Sequence, residues 1–284
     1  MGKSVLVVEG GAMRSVFSAG LLDGFLERGF NPFDEYIGVS GGAGNLIAFL
    51  EGESGKSLQQ FLSVASHPSI INYQRFLRGG HLLDLDQVFD IVFNSNTVDL
   101  DKVYRAQKPF YVVTTAVADG TAHYHPTNRD NLAAVLKASM AVPLIYRHFP
   151  EVQGQPMTDG GVADGIPVGA AINGGASKIM VVLSRKREYV KQDTLWHRWI
   201  RWQLRQHSAL VDTMGQRVAI FEASKALIHR PPPQVQIVDV CPPDEFESGR
   251  FVRQSKTLQN GYRIGREMAA DAIERWQHLD VNRI

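Results

Sequence analysis

The chain has 284 residues, 44% hydrophobic and 21% charged, an ordinary globular composition that suits one large domain or a domain with an appendage. A net charge of +1 gives no global reason to expect a nucleic-acid partner. The single cysteine, Cys241, excludes an intrachain disulfide and a cysteine-rich metal site and fits a reducing compartment.

The first element is Val5–Val8, a short β-branched run that reads as a buried strand. Four apolar residues are too few for a signal-peptide core, and no apolar run approaches the roughly 18 residues of a membrane span. The expected place is the cytoplasm, with contact at the inner face of the membrane left open. Residues 15–28 carry Val16, Ala19, Leu22 and Leu26 near helical spacing, and Tyr36–Val39 is a second buried strand. Residues 43–50 read as a buried helix, 110–118 as a third strand, and 131–140 as a helix stopped by Pro143. Residues 178–183 form a fourth expected strand and 234–240 a fifth, after the Pro231-Pro232-Pro233 break. Strands alternating with helices imply a mostly parallel α/β sheet covered on both faces.

The segment Gly38-Val39-Ser40-Gly41-Gly42 fits Gly-x-Ser-x-Gly between a strand and a helix. That context forces a sharp turn which thrusts the Ser40 hydroxyl out of the backbone, with small neighbours that let the turn close. The helix that follows adds its N-terminal dipole beside the hydroxyl. A second segment, Glu9-Gly10-Gly11-Ala12-Met13-Arg14, follows the first strand directly. A glycine-rich turn opening a helix exposes backbone N–H groups, as a tetrahedral oxyanion requires. A dinucleotide turn would need Gly-x-Gly-x-x-Gly, and neither the spacing nor a following acidic residue is present. A third segment, Asp159-Gly160-Gly161, sits in an expected loop over 157–167. A carboxylate there could serve as the base a serine hydroxyl needs, or the segment could be a plain turn.

Taken in order, these three segments resemble the patatin-like phospholipases. Thr114–Gly120, Ala138–Pro143 and Gly160–Val168 agree with that family as well, and the resemblance covers roughly residues 4–184. It implies a three-layer α/β/α core over 1–184 with a mostly parallel central sheet. Residues 185–284 would be a helical extension whose one strand, about 234–240, joins or flanks the core. It implies a serine–aspartate dyad acting through an acyl-enzyme, with Ser40 as nucleophile and Asp159 as general base. Gly10, Gly11, Ala12 and Gly41 would form the oxyanion hole, supported by Arg14, Gly38, Gly42, Gly160 and Gly161. No metal or other cofactor is called for, and the substrate would be a lipid or another acyl ester. Ala12 and Ser15 stand where glycine is usual in the family. Ala12 keeps its N–H, so the hole can form if its φ is negative, whereas a positive φ would strain the residue and count against the hole.

Other readings stay open. A Ser-His-Asp hydrolase of the other α/β type would take His197, His207 or His229 as base, and an acyltransferase would pass the acyl group to another alcohol instead of water. A non-catalytic lipid-binding protein could keep the same fold. His123 and His125 share a strand face but lack a third metal ligand. Residues 185–230 carry ten basic and four acidic side chains. Within them, 195–205 holds Trp196, Trp199 and Trp202 with Arg198, Arg201 and Arg205 on one face. That is either a peripheral membrane contact or a helix capping the core. Residues 249–276 read as one terminal helix packed on the core.

Overall fold

The computed structural model describes residues 2–94 and 98–281; Met1 and residues 282–284, the ends of the expected core and extension, lie outside the described residues. The chain starts β1 (Lys3–Val8), α1 (Val16–Glu27), β2 (Glu35–Val39) and α2 (Gly41–Glu51). Four short helices follow: α3 (Lys56–Ser66), α4 (Tyr73–Leu77), α5 (Leu85–Phe89) and α6 (Leu100–Val103). The core resumes with β3 (Phe110–Ala116), β4 (Ala122–Pro126) and α7 (Leu132–Met140). Next come β5 (Glu151–Val152), β6 (Gln155–Asp159), α8 (Val168–Asn173) and β7 (Ala176–Val182). The last third holds α9 (Leu195–Gln203), α10 (Ser208–His229), β8 (Gln236–Val240), α11 (Ser255–Glu267) and α12 (Ala269–Val281).

Seven strands run in the order β5-β6-β3-β2-β1-β7-β8, and β4 pairs with β3. The pairs among β3, β2, β1, β7 and β8 are parallel. Central strands are apolar on both sides because both faces are covered. Along β1, Leu6 and Val8 join the cluster under α1, α2, α7, α11 and α12. Val5 and Val7 point the other way, into the cluster under α8 and α10. The result is the three-layer α/β fold with a mostly parallel sheet that the sequence implies.

Two elements differ from the sequence reading. Asp159 is not in a loop; it is the last residue of β6, antiparallel to β3 with Thr114 opposite Asp159. The short hairpin β5–β6 has a polar, exposed first half, which hides its strand character. The terminal helix is two helices, since α11 follows α1 whereas α12 turns over the sheet so that Trp276 packs edge-on to Phe33 at 5.1 Å.

Register explains how distant residues meet. Val113 of β3 pairs with Val39 on one edge and Tyr124 on the other. Thr114, the next residue, pairs with Asp159 and His123. A strand has only two edges, so β6 takes over the edge that β2 vacates. Ser40, just past the end of β2, and Asp159, at the end of β6, are thereby brought to line one cavity.

Candidate active site

Ser40 has φ 50° and ψ −128°, a backbone region that non-glycine residues seldom occupy. Such a conformation costs on the order of 1–3 kcal/mol and persists only where the surroundings impose it. Here Ser139, wholly buried on α7, imposes it. The Ser40 N–H donates to Ser139 Oγ at 2.8 Å, and the Ser139 hydroxyl donates to the Val113 carbonyl at 2.6 Å. A Cβ on Gly38 would stand 2.5 Å from Ala43 Cα, and one on Gly42 would stand 2.5 Å from the Val8 carbonyl oxygen. Both glycines are needed for the turn to close against β1 and α2.

Ser40 and Asp159 line the same cavity, and the Ser40 side chain is among the groups that favour the charged form of the Asp159 carboxyl. Burial pushes the Asp159 carboxyl above the ordinary range, opposed by the Gly161 N–H, the Ser40 hydroxyl, Arg250 and Lys191. Gly161 N–H donates to Asp159 Oδ1 at 2.7 Å, and Thr115 Oγ1 donates to the Asp159 carbonyl at 2.9 Å. A Cβ on Gly160 would overlap the Val113 carbonyl oxygen, so this glycine lets β6 abut β3.

The turn Gly10–Arg14 lies alongside the serine. A Cβ on Gly10 would be 2.9 Å from Ser40 Cβ, and one on Gly41 would be 3.4 Å from the Ala12 carbonyl oxygen. Glu9 Oε2 accepts the Ser184 N–H at 2.6 Å, and the Ser184 hydroxyl donates to the Gly10 carbonyl at 3.0 Å. Asn45 reaches back from α2 to the Ser15 carbonyl at 2.6 Å. Ala12 does take a positive φ, 51°, the strained alternative for that position. Arg14 is 7% exposed and its Nε lacks a hydrogen-bond partner among the described residues. Burial first, then the charges of Arg185 and Arg250, push its pKa down to about 9.

Ser40, Asp159, Glu9–Arg14 and Gly41 open onto one cavity of about 310 Å³, at the lower end of the roughly 300–1,000 Å³ usual for ligand pockets. One lobe is apolar, lined by Phe61, Val64, Leu83, Phe89, Met140 and Ile145. Residues between 185 and 251 line the cavity as well, with cations among apolar side chains such as Ile200, Met214 and Phe221. Sequence reasoning missed the apolar lobe, although Val88-Phe89 followed by Ile91-Val92-Phe93 is an apolar signal within 52–109. It also missed Ser184 and assigned no role to Ser139 and Thr115, although both fall in segments that resemble the family, because their partners are set only by the fold.

The candidate histidines lie elsewhere or are otherwise engaged. His197 lines the cavity, but its Nδ1 is 2.7 Å from Thr194 Oγ1, and burial with Arg217 nearby pushes its pKa down to about 4. The His207 ring packs on Phe149 at 5.2 Å, and His229 sits at the C-terminal end of α10. His125 is bound to Thr114 Oγ1 at 2.8 Å with its ring 5.9 Å from that of His123. Among the described residues, no group of three or more histidine, cysteine or carboxylate side chains is arranged to hold a metal ion.

The mostly parallel α/β sheet, with a strained serine after its second strand and a buried carboxylate on the same cavity, has the architecture of a hydrolase of the α/β class. The Patatin-like phospholipase family model matches residues 6–172, and the chain belongs to that family. Family membership makes it a hydrolase of the lipase/phospholipase type. A domain of unknown function, DUF6363, matches residues 207–280. The chain is 30% identical over 270 residues to the uncharacterized protein YjjU of Escherichia coli K12, covering 93% of this chain and 75% of that one. A crystal structure of VipD from Legionella pneumophila aligns with a TM-score of 0.45 and 11% identity, over 97% of this chain and 67% of that one. Among the described residues, no helix is long and apolar enough to cross a membrane.

Proposed function

We propose that the chain is a carboxylic-ester hydrolase of acyl lipids that works through a Ser40–Asp159 dyad. The observation that carries this reading is the strained Ser40 backbone, held by Ser139, on the same cavity as the buried Asp159 carboxyl that its side chain influences. Ser40 Oγ bonds to the acyl carbon as its proton passes to Asp159. The oxyanion is met by N–H groups drawn from Gly10, Gly11, Ala12 and Gly41. Asp159 returns the proton to the leaving alcohol as the ester C–O bond breaks. Water then adds to the acyl-enzyme, giving its proton to Asp159, and the proton returns to Ser40 as the carboxylic acid leaves.

Arg14 braces the oxyanion turn in this reading, and Gly38, Gly42, Gly160 and Gly161 supply the close approaches. Residues 1–184 carry the dyad, and residues 185–284 close the cavity. A fluorophosphonate probe should label the wild type and fail on Ser40→Ala, and Asp159→Asn should lose esterase activity. A histidine-to-alanine variant as inactive as Ser40→Ala would refute the dyad.

The cavity mouth favours peripheral contact with a lipid surface. Leu77 is 85% exposed, Leu195 79% and Trp202 58%, and Trp196 bridges α9 to α4 through Phe76 at 6.2 Å. Ile200 and Leu204 anchor the other side of this helix, leaving the tryptophans outward. Loss of liposome binding in the Trp199→Ala, Trp202→Ala double variant is expected; unchanged binding would refute the contact.

A further inference from the structure

Five cations line the cavity that Ser40 and Asp159 share with apolar residues such as Phe61, Val64 and Phe89. Arg14, Arg185, Lys191, Arg217 and Arg250 all line it, facing only two lining carboxylates, Glu9 and Asp159. Glu9 is engaged by the Ser184 N–H, and Asp159 by the Gly161 N–H. Among the described residues, none of the five cations forms a side-chain ion pair with a carboxylate. Two are held in place by rings: Arg185 lies 3.9 Å over Tyr189 and Lys191 lies 5.0 Å over Phe221. Arg217 donates to the Gln192 carbonyl at 2.9 Å.

Gathering like charges in a partly dry cavity is unfavourable without a counter-charge. The cost is visible in Lys191, whose pKa is pushed down to about 8, first by burial and then by Arg217, with Arg250 and Arg185 adding to it. Arg14 Nε, buried without a protein acceptor among the described residues, adds a donor to the cluster. The cluster is next to the chemistry, since Arg250 and Lys191 both act on the Asp159 carboxyl. Four of the five residues come from the chain beyond β7, so this cluster belongs to the C-terminal third.

We propose that Arg14, Arg185, Lys191, Arg217 and Arg250 form a subsite for the phosphate of a glycerophospholipid with a net negative headgroup, seated beside the ester that Ser40 attacks. The proposal rests on the hydrolase reading above. An acyl chain would fill the apolar lobe and the glycerol would span the dyad, leaving the phosphate at the cationic cluster. Guanidinium groups suit phosphate through paired, charge-assisted hydrogen bonds. A choline ammonium would stand among like charges, and a diacylglycerol would leave the cluster without a counter-charge.

The test compares the full-length protein on water-soluble dibutyroyl phosphatidylglycerol, dibutyroyl phosphatidylcholine and dibutyrin, below any micelle threshold so that surface attraction plays no part. Expected is a kcat/KM for phosphatidylglycerol at least roughly ten-fold above the other two, the worth of one charge-assisted hydrogen bond. Lys191→Gln and Arg217→Gln should each lower that ratio several-fold, and Lys191→Arg should restore it. Equal rates on the three substrates, or variants that slow all three alike, would overturn the subsite. Fluorophosphonate labelling of the same preparations separates the two levels. A protein that labels at Ser40 without discriminating refutes only the subsite, whereas one that does not label refutes the hydrolase reading.

Discussion

Ser139 is the residue whose removal tests how the nucleophile turn is held. Its hydroxyl, 0% exposed, accepts the Ser40 N–H and donates to the Val113 carbonyl. Ser139→Ala strands the Ser40 N–H in the interior, at a cost of roughly 1–3 kcal/mol, and removes a second bond worth about 1 kcal/mol. The methyl group fills nearly the same space, so little cavity term is added, and the expected loss of stability is roughly 2–4 kcal/mol. Ser40 at φ 50° and ψ −128° stores on the order of 1–3 kcal/mol of strain, which relaxes once its tether is gone. A displacement of about 1 Å at a reacting atom costs roughly 100-fold in rate. The assay pairs urea unfolding at neutral pH with kcat/KM on a short-chain p-nitrophenyl ester at a temperature where the variant remains folded. Ser139→Cys, with its weak donor and acceptor, should fall between wild type and alanine on both measures. If Ser139→Ala unfolds within about 0.5 kcal/mol of wild type and keeps its rate, the hydroxyl is not what maintains the turn.

Asp159→Asn should abolish turnover yet stabilise the fold near neutral pH. The raised folded-state pKa means the native protein holds its proton more tightly than the unfolded chain. Wild-type stability therefore falls as pH rises from the ordinary aspartate value through the raised one, and the advantage of the asparagine variant grows over that window and then levels; a gap independent of pH from 3 to 8 would refute this. For the same reason the acid limb of the wild-type rate profile should lie above the ordinary aspartate value of about 3.9, and Arg250→Gln should move it higher still. Ala12→Gly removes a positive-φ side chain and should leave stability level or up by as much as roughly 1 kcal/mol, without loss of activity; a clear loss of thermal stability would contradict the backbone described. Gly20→Ala should destabilise by more than the roughly 1 kcal/mol that helix propensity returns, because its Cβ would overlap the Tyr262 carbonyl oxygen, whereas Gly215→Ala, with nothing near, should stabilise; equal effects of the two would rule out close contact between α1 and α11.

How much of this was legible beforehand depends on whether the signal was local. β1, β2, β3 and β7 are short β-branched runs with no competing period, so their places are evident within a residue or two. Ser40 and the turn Glu9–Arg14 follow strand ends directly, and small residues at fixed offsets mark them. Asp159 was legible as a residue but not as a place: β6 begins Gln155-Pro156, exposed and proline-containing, and becomes a strand only by taking the edge of β3 that β2 leaves. Ser139 and Thr115 lie in segments that carry the family resemblance, but their roles, like that of Ser184, show only once a distant partner is known.

The C-terminal third was hardest to place, because its bonds to the core are backbone contacts rather than matched hydrophobic periods. Gly20 and Gly24 on α1 lie against Tyr262 and Arg266 of α11, and Gly265 on α11 lies against Phe17 and Leu21 of α1. A Cβ on Gly24 would stand 2.8 Å from the Arg266 carbonyl oxygen, and one on Gly265 would be 3.0 Å from the Leu21 nitrogen. The small residues let the two helices approach at backbone distance, which a count of apolar side chains does not reveal. Beside them, β8 adds a parallel strand to β7, and Trp276 closes over Phe33. The segment that enters the cavity with Arg185, Lys191, Arg217 and Arg250 is therefore fixed by β7 before it, by β8 within it and by α11 after it. A flexible tail could not hold like charges close together. A segment anchored on the same sheet that carries Ser40 can, and that anchoring is what would let the cationic cluster meet an anion beside the ester.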